Sequence, residues 1–222
     1  MFVSHLRLQK IGNHYYTLNL IPGKKVYGER LTKDAIGEWR EWNPFRSKLC
    51  AGLHNGLSLE HFAIREGSKV LYLGSAEGTT VSHVSDVIGE DGLVVGVDVS
   101  PHVMSKFSAL VESRENILPL LGDANQPETY ASELEGMKFD VLVQDVAQKN
   151  QAEIFSKNWD LFAHPKSVGY LVIKSKSVDF TKPKEQVLKQ ELKMLGKHIK
   201  VEQILSLEKH EKSHFLLCVK WQ

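Results

Sequence analysis

From Lys69 onward the chain alternates between two patterns. Short apolar runs, four of the five ended by Gly or Asp and the last by Lys174, are followed by stretches whose apolar residues recur at helical spacing. The apolar runs Lys69–Gly74, Leu93–Val97, Asn116–Leu121, Phe139–Val143 and Val168–Ile173 read as buried strands. Between them lie helical stretches at Thr80–Ile88, from Pro101 to about Arg114, at Pro127–Glu135 and over roughly Asn150–Phe162. A further helix runs from Pro183 to about Lys197. Ser100 before Pro101 is a helix N-cap followed by Pro at the first helical position. This alternation is that of βαβ units, so it predicts a parallel sheet covered by helices on both faces.

The two ends depart from that rule. Ile199–Leu207 and Ser213–Trp221 are strand-like runs joined by a short polar loop. A loop that short cannot make a parallel crossover, so the last strand should be antiparallel. At the other end, Val3–Gln9 and Tyr15–Leu20 alternate around Gly12-Asn13 and predict a hairpin. Val26-Tyr27 and the stretch near Arg30 are further strand candidates. Asn43–Gly56, capped at Asn43 with Pro44 behind it, is the expected first helix. The fold class is therefore α/β: a doubly wound, mostly parallel sheet with its last strand antiparallel, over residues 43–222, preceded by a small β-rich N-terminal domain over residues 1–42.

Composition narrows the function classes. With 42% apolar and 25% charged residues the chain is an ordinary folded protein rather than a disordered one. Its apolar runs are too short to span a membrane, and Met1–Lys10 lacks the long apolar stretch of a signal peptide. Cys50 and Cys218 sit in apolar surroundings, which suggests a reducing compartment, here the cytoplasm, and no disulfide framework. The net charge of +1 argues against a stand-alone nucleic-acid binder. That total hides an uneven distribution. Residues 1–85 carry 11 basic and 7 acidic side chains, residues 86–160 carry 5 and 14, and residues 161–222 carry 12 and 6. Two basic segments flank an acidic middle. They are either solvated helix faces or one surface for a polyanion.

The first strand–helix junction reads Leu73-Gly74-Ser75-Ala76-Glu77-Gly78-Thr79-Thr80. Gly74 and Gly78 allow a tight turn and close approach of a ligand, but the loop lacks the G-x-G-x-x-G of dinucleotide sites. Glu77 brings negative charge into the loop. A ligand with an amino-acid end and an adenosine end, S-adenosylmethionine (SAM), fits better than a pyrophosphate cofactor. Asp98 ends the second strand, where a carboxylate can hold ribose hydroxyls. Asp123, next to Ala124, ends the third strand and Asp145 ends the fourth. Each alone could be a helix cap; together they line the crevice at the carboxyl ends of the strands. The expected fold is thus the Rossmann-like sheet of a SAM-dependent methyltransferase.

Lys48, Asp145, Lys174 and His214 form the candidate catalytic set. Asp145 and Lys174 end adjacent strands, Lys48 opens the helix entering the large domain, and His214 begins a strand that runs the other way. The topology therefore brings all four to one rim. Around them the chain becomes familiar. WNPFRSK at 42–48, VLYLGSAEGTTVSHVSDVIG at 70–89, DVAQ at 145–148, VIKSKS at 172–177 and SHFLLCV at 213–219 closely resemble fibrillarin, of the archaeal, fibrillarin-like type. The resemblance covers nearly the whole chain.

That resemblance implies a SAM-dependent 2′-O-methyltransferase of box C/D ribonucleoproteins, acting on rRNA and, in archaea, tRNA. Its partners would be a box C/D guide RNA, the target RNA, a Nop-family scaffold protein and a kink-turn-binding ribosomal-type protein. It places cofactor contacts at Thr79-Thr80, Asp98-Val99, Asp123-Ala124 and Asp145-Val146-Ala147-Gln148. The family's Lys-Asp-Lys-His set falls on Lys48, Asp145, Lys174 and His214. This chain has Asp98-Val99 where many fibrillarins have Glu-Phe, and Ser213 where relatives often have Asp. The Gly/Arg-rich leader of eukaryotic fibrillarins is not expected.

A ribose 2′-hydroxyl is a weak acid, and a neutral lysine can take its proton if burial or another cation lowers that lysine's pKa. Lys174 is the expected base, Lys48 the neighbouring cation, Asp145 their holder and His214 an aid to orienting the hydroxyl. Two other readings remain: a small-molecule SAM methyltransferase, and a non-catalytic assembly subunit. His210-Glu211-Lys212-Ser213-His214 matches H-E-x-x-H, but it lies in a polar loop entering a strand, and the zinc site needs a helix. No metal is expected. Trp39 and Trp42 either stack on RNA or pack the N-terminal piece against the large domain. The lysines at 182, 184, 189, 193, 197 and 200 read as a solvated helix face.

Overall fold

The computed structural model describes residues 7–222, so the expected first strand lies outside the described residues before position 7. Strands β1 (Leu8–Ile11), β2 (His14–Leu18), β3 (Leu31–Lys33) and β4 (Glu38–Trp42) form an antiparallel sheet in the order β1-β2-β4-β3. Ile11 pairs with His14, so Gly12-Asn13 is a two-residue hairpin turn, with Gly12 at a φ of +58°. Val26-Tyr27 forms no strand because the Glu29 carboxylate takes the N–H groups of Val26 (2.9 Å) and Tyr27 (2.8 Å). Strand β4 was hidden in the sequence by Glu38 and Arg40, charged residues that are nonetheless buried.

The large sheet has seven strands: β5 (Lys69–Leu73), β6 (Leu93–Asp98), β7 (Ile117–Leu121), β8 (Val141–Gln144), β9 (Val168–Lys174), β10 (Ile199–Ser206) and β11 (His214–Trp221). Their order is β10-β11-β9-β8-β5-β6-β7. Strands β7, β6, β5, β8 and β9 are parallel, while β11 runs antiparallel to both β9 and β10. The last strand is thus antiparallel as expected, and it sits inside the sheet with β10 on the edge.

The helices are α1 (Lys48–His54), α2 (Thr79–Ile88), α3 (Pro101–Val111), α4 (Gln151–Phe162), α5 (Ser175–Val178) and α6 (Lys184–Lys193). Helix α1 begins five residues later than expected. Asn43 caps a turn instead, accepting the Phe45 N–H on Oδ1 at 2.9 Å, and Ser47 is the true cap, accepting from Cys50 N. Over Pro127–Glu135 the chain makes two 3₁₀ turns, Pro127–Thr129 and Ala131–Leu134, ended by Glu135 at a φ of +46°. The single turn α5 was not expected, and α3 and α6 stop short of Arg114 and Lys197. Cys50 and Cys218 are buried free thiols. No helix among the described residues is long and apolar enough to cross a membrane.

One face of the large sheet shares its core with the small one. Leu8, Tyr15 and Trp42 pack into the same cluster as Tyr72, Val81, Val84 and Leu216. Trp39 and Trp42 are both buried, and Trp42 stacks on His83 with centroids 5.1 Å apart. Packing, not RNA, takes both tryptophans.

A fully buried charge network locks this junction. The Asp86 carboxylate on α2 accepts from Arg40 (2.7 Å) on β4 and from Arg114 (2.7 Å) beyond α3. It also accepts from Thr17 Oγ1 (2.8 Å) and Leu20 N (3.0 Å). Arg40 reaches Glu29 at 2.6 Å and Ser82 Oγ at 3.0 Å. Removing the carboxylate would strand two guanidinium groups in a dry interior. Asp86→Ala is therefore expected to cost about 3–5 kcal/mol in a denaturant titration. A loss of about 1 kcal/mol, that of an exposed pair, would contradict the account.

His83 lies beside this network. Thr17 gives its only proton to Asp86, so it accepts from His83 Nδ1–H at 2.8 Å, and Nε2 accepts from the Tyr27 hydroxyl at 2.8 Å. Burial, then the charges of Arg40 and Arg114, hold the imidazole pKa well below its ordinary 6.5. The folded chain keeps His83 neutral while the unfolded chain protonates it. Stability is therefore retained above pH 6.5 and lost as the pH falls below it. His83→Gln should flatten that loss by about 1.4 kcal/mol per pH unit below 6.5. Identical pH slopes in the two proteins would refute the assignment.

Candidate active site

The carboxyl ends of β5, β6, β7 and β8 open onto a cleft of about 390 Å³. Its floor is the loop between β5 and α2. Gly74 has a φ of +83°, and a Cβ there would lie 2.9 Å from the Asp145 carbonyl oxygen, so only glycine lets the loop approach the end of β8. Ala76 is left-handed at a φ of +48°. Asp98 pins that conformation: Oδ2 accepts from Ala76 N and Oδ1 from Ser100 N, each at 3.0 Å. Asp123 Oδ1 accepts from Asn125 N (2.9 Å) and from Gln148 Nε2 (3.2 Å), tying the ends of β7 and β8 together across the cleft.

Of the residues expected to hold a cofactor, Gly74, Asp98, Val99, Asp123, Ala124, Asp145, Val146, Ala147 and Gln148 line the cleft, together with Lys174. Ala76, Val97 and Gly122 also line it and were not foreseen. Glu77, Gly78, Thr79 and Thr80 fall outside the lining. The Glu77 carboxylate turns outward to Lys106 Nζ at 2.6 Å, a bond that lowers its pKa, so its charge is spent there rather than on the cleft. Gly78 is the N-cap of α2 and packs against Phe107. Thr79 and Thr80 open α2, with Thr80 buried.

At the mouth of the cleft three of the four candidate catalytic residues meet. Lys174 Nζ is 2.7 Å from Asp145 Oδ1 and donates a hydrogen bond to the Asp145 carbonyl at 2.8 Å. The aligned bond is the one to the carbonyl; the carboxylate contact is an ion pair. Lys48 Nζ is 3.7 Å from Asp145 Oδ2. One carboxylate thus faces both ammonium groups. The pocket beneath is tightly specified, since fully buried Gln151 accepts the Lys174 N–H at 2.8 Å and donates to Gln148 O at 2.8 Å. Burial, then the Asp145 charge, raises the Tyr72 pKa, which keeps the phenol protonated below the cluster.

His214 reaches the same rim by register, opposite Lys174 in the β9–β11 ladder. Its ring donates from Nδ1 to Lys212 O at 2.7 Å, rather than bonding Asp145 or either lysine. Ser213 before it is left-handed at a φ of +62°, a conformation Asp adopts more readily than Ser.

The H-E-x-x-H stretch forms a turn in which the N–H groups of His210 and Glu211 both donate to Leu207 O at 2.8 Å. Its two histidines diverge, since His210 accepts from Asn55 Nδ2 at 2.9 Å while His214 begins β11. No group of three or more His, Cys, Asp or Glu among the described residues is placed to hold a metal ion. The turn serves the site differently. Glu211 Oε1 lies 3.5 Å from Lys48 Nζ, a second carboxylate on that lysine besides Asp145. The order Lys174–Asp145–Lys48–Glu211 alternates in charge. Glu211 was overlooked because the letters around it spelled a metal motif. The usable signal was its place in the turn that delivers His214 to the rim.

Comparison with known proteins identifies the family. The Fibrillarin family model matches residues 2–222. A protein of Thermococcus onnurineus named fibrillarin-like rRNA/tRNA 2′-O-methyltransferase is 50% identical over 204 residues, covering 92% of this chain and 88% of that one. Aeropyrum pernix fibrillarin, solved with natively bound S-adenosyl-L-methionine, superposes with a TM-score of 0.84 at 39% identity, covering 93% of this chain and 88% of that one. The fibrillarin of a fibrillarin/Nop5p complex superposes with a TM-score of 0.86 at 34% identity, covering 97% and 98%.

The Asp98 clamp is testable without any ligand. Asp98→Ala should speed amide exchange at Ala76 and Ser100 by about 10-fold or more while leaving the β5 and β8 amides protected. Unchanged exchange at Ala76 would show that the loop holds its shape without the carboxylate.

Proposed function

We propose that this chain, which belongs to the fibrillarin family, transfers the methyl group of S-adenosylmethionine to ribose 2′-hydroxyls of rRNA, and of tRNA as well. The observation that carries the reading is Asp145. At the mouth of the cleft it faces a lysine on each side, at 2.7 Å and 3.7 Å.

The cleft suits the methyl donor. Each Asp98 oxygen has given one lone pair to a backbone N–H and keeps another for the ribose diol. Val99, 60% exposed beside it, offers the adenine an apolar contact smaller than the Phe of many relatives. Gln148 Oε1 is buried with no hydrogen-bond partner among the described residues and lines the cleft, ready to accept from a ligand N–H. Asp123-Ala124 would hold the adenine end. Gly74 would hold the amino-acid end, with the start of α2 at Thr79-Thr80 behind the cleft lining. When bound, S-adenosylmethionine supplies an electrophilic methyl group on a sulfonium.

The chain's own residues then prepare the acceptor. Lys174 Nζ is the group assigned to take the 2′-hydroxyl proton, which leaves the oxygen nucleophilic. Lys48 Nζ is the second cation at the Asp145 carboxylate, 3.7 Å from Oδ2. Asp145 holds both nitrogens in place, and His214, whose Nδ1–H is engaged by Lys212 O, presents Nε2 to the hydroxyl. Aligning oxygen and methyl in this way contributes up to about 7–11 kcal/mol in well-oriented systems.

The chain works as the catalytic subunit of a guide-RNA-directed box C/D ribonucleoprotein. The fibrillarin/Nop5p complex supports a Nop-family scaffold as one partner. The guide RNA, the target and a kink-turn-binding ribosomal-type protein complete the proposed assembly, and the free thiols of Cys50 and Cys218 suit a cytoplasmic setting. Alone, the near-neutral chain should hold RNA weakly.

Lys174→Ala tests the chemistry. In the assembled particle it should cut methyl transfer by about 10²–10⁴-fold, with SAM affinity, read by calorimetry, unchanged within about threefold. Turnover near the wild-type rate would remove Lys174 as the base.

A further inference from the structure

We propose that Phe45, braced by His210, is the seat of a nucleobase of the RNA acceptor strand next to the reacting ribose. The inference rests on the ribose-methylation reading and adds the wall of the site that faces the RNA.

Phe45 is 62% exposed, yet its backbone is held. Its N–H donates to Asn43 Oδ1 at 2.9 Å, and Arg46 N donates to Asn43 O at 3.1 Å, so the turn before α1 presents the ring rather than letting it drift. The ring meets the His210 imidazole at 5.1 Å with the planes 63° apart. His210 is itself fixed. Asn55 Nδ2 donates to its Nδ1, and its own N–H donates to Leu207 O. An accepting Nδ1 places the ring proton on Nε2 and makes His210 neutral. Burial, followed by the charge of Lys209, lowers its pKa and favours the same state.

The position is what gives this ring a role. Phe45 precedes Lys48 by three residues, and His210 precedes Glu211, whose carboxylate lies 3.5 Å from Lys48 Nζ. Two independent chain segments therefore put the Phe45–His210 pair beside Lys48. Phe45 is not part of the cleft lining, so the methyl donor does not use it. Arg46 is exposed, with its guanidinium 5.6 Å from the Tyr27 ring centroid, and Lys48 and Lys174 face the same rim. An open aromatic face among fixed cations matches an RNA strand: bases stack on the ring while phosphates meet the cations, whichever base is present. Tolerance of any base is what a site needs when the target is chosen by pairing to another RNA.

The test uses the complete particle, with guide RNA and a complementary target RNA oligonucleotide, and the variants Phe45→Ala, Phe45→Leu and Phe45→Trp. Phe45→Ala should raise KM for the target RNA about 10-fold, a typical value for one lost stack. The rate at saturating RNA, SAM affinity and thermal midpoint should stay near wild type. Phe45→Trp should restore KM and Phe45→Leu should not. Three results would overturn the inference alone: an unchanged KM in Phe45→Ala, full rescue by Leu, or loss of the scaffold protein from the Phe45→Ala particle on gel filtration, which would give the surface to a protein partner. Absence of methyl transfer by the wild-type particle would overturn the underlying reading together with it.

Discussion

Asp145 engages two cations at once, and most of the active rim depends on that. It follows directly from the end of β8, so the sheet fixes its backbone. Its carbonyl accepts from Lys174 at 2.8 Å, its Oδ1 pairs with the same nitrogen at 2.7 Å, and its Oδ2 faces Lys48 at 3.7 Å. Gly74 packs against the same carbonyl because it lacks a Cβ. One peptide unit therefore joins the floor of the cleft to the lysine at its mouth. A carboxylate less tightly placed would leave two mutually repelling ammonium groups with no common anchor.

Lys48 reaches this point only because the small N-terminal sheet is docked firmly. The turn at 43–47 that leads into α1 follows β4 directly, and β4 carries Arg40 into the buried Asp86 network. The shared core of Trp42, Val81 and Val84 fixes the same junction from the apolar side. Buried charges of this kind add little net stability over a well-packed apolar core. Here they join β4, which leads into the turn before Lys48, to α2 of the large domain. From the other direction, the turn before β11 brings Glu211 to Lys48 and His214 to the rim.

Much of this was legible in the chain because it rests on local rules. The five parallel strands showed as apolar runs, their carboxyl ends as Gly or Asp in four and Lys174 in the fifth, and the antiparallel final strand as a loop too short for a crossover. From those ends the meeting of Lys48, Asp145 and Lys174 followed by topology. What stayed hidden depends on tertiary partners. Strand β4 looks too polar to be a core strand because the partners that make it one, Glu29 and Asp86 for Arg40 and Lys33 and Asn19 for Glu38, lie outside the strand. Asn43 and Ser47 are both good caps, and only the Asx turn at Phe45 decides between them. Glu77 looked like a ligand group because Lys106, 29 residues away, could not be seen to claim it. The two basic ends of the chain do meet, at Lys48 and Lys174, while the lysines of α6 mostly face solvent.

The central claim is that this cluster acts on a ribose hydroxyl chosen by a guide RNA. The most direct measurement is to supply methyl-labelled SAM to the complete particle with a target RNA and to map the label by mass spectrometry after nuclease digestion. The account predicts one methyl group on the 2′-oxygen of the guide-paired nucleotide, and its movement to a new nucleotide when the guide sequence is shifted. Label on a base, label that ignores the guide, or label only on small molecules would contradict it.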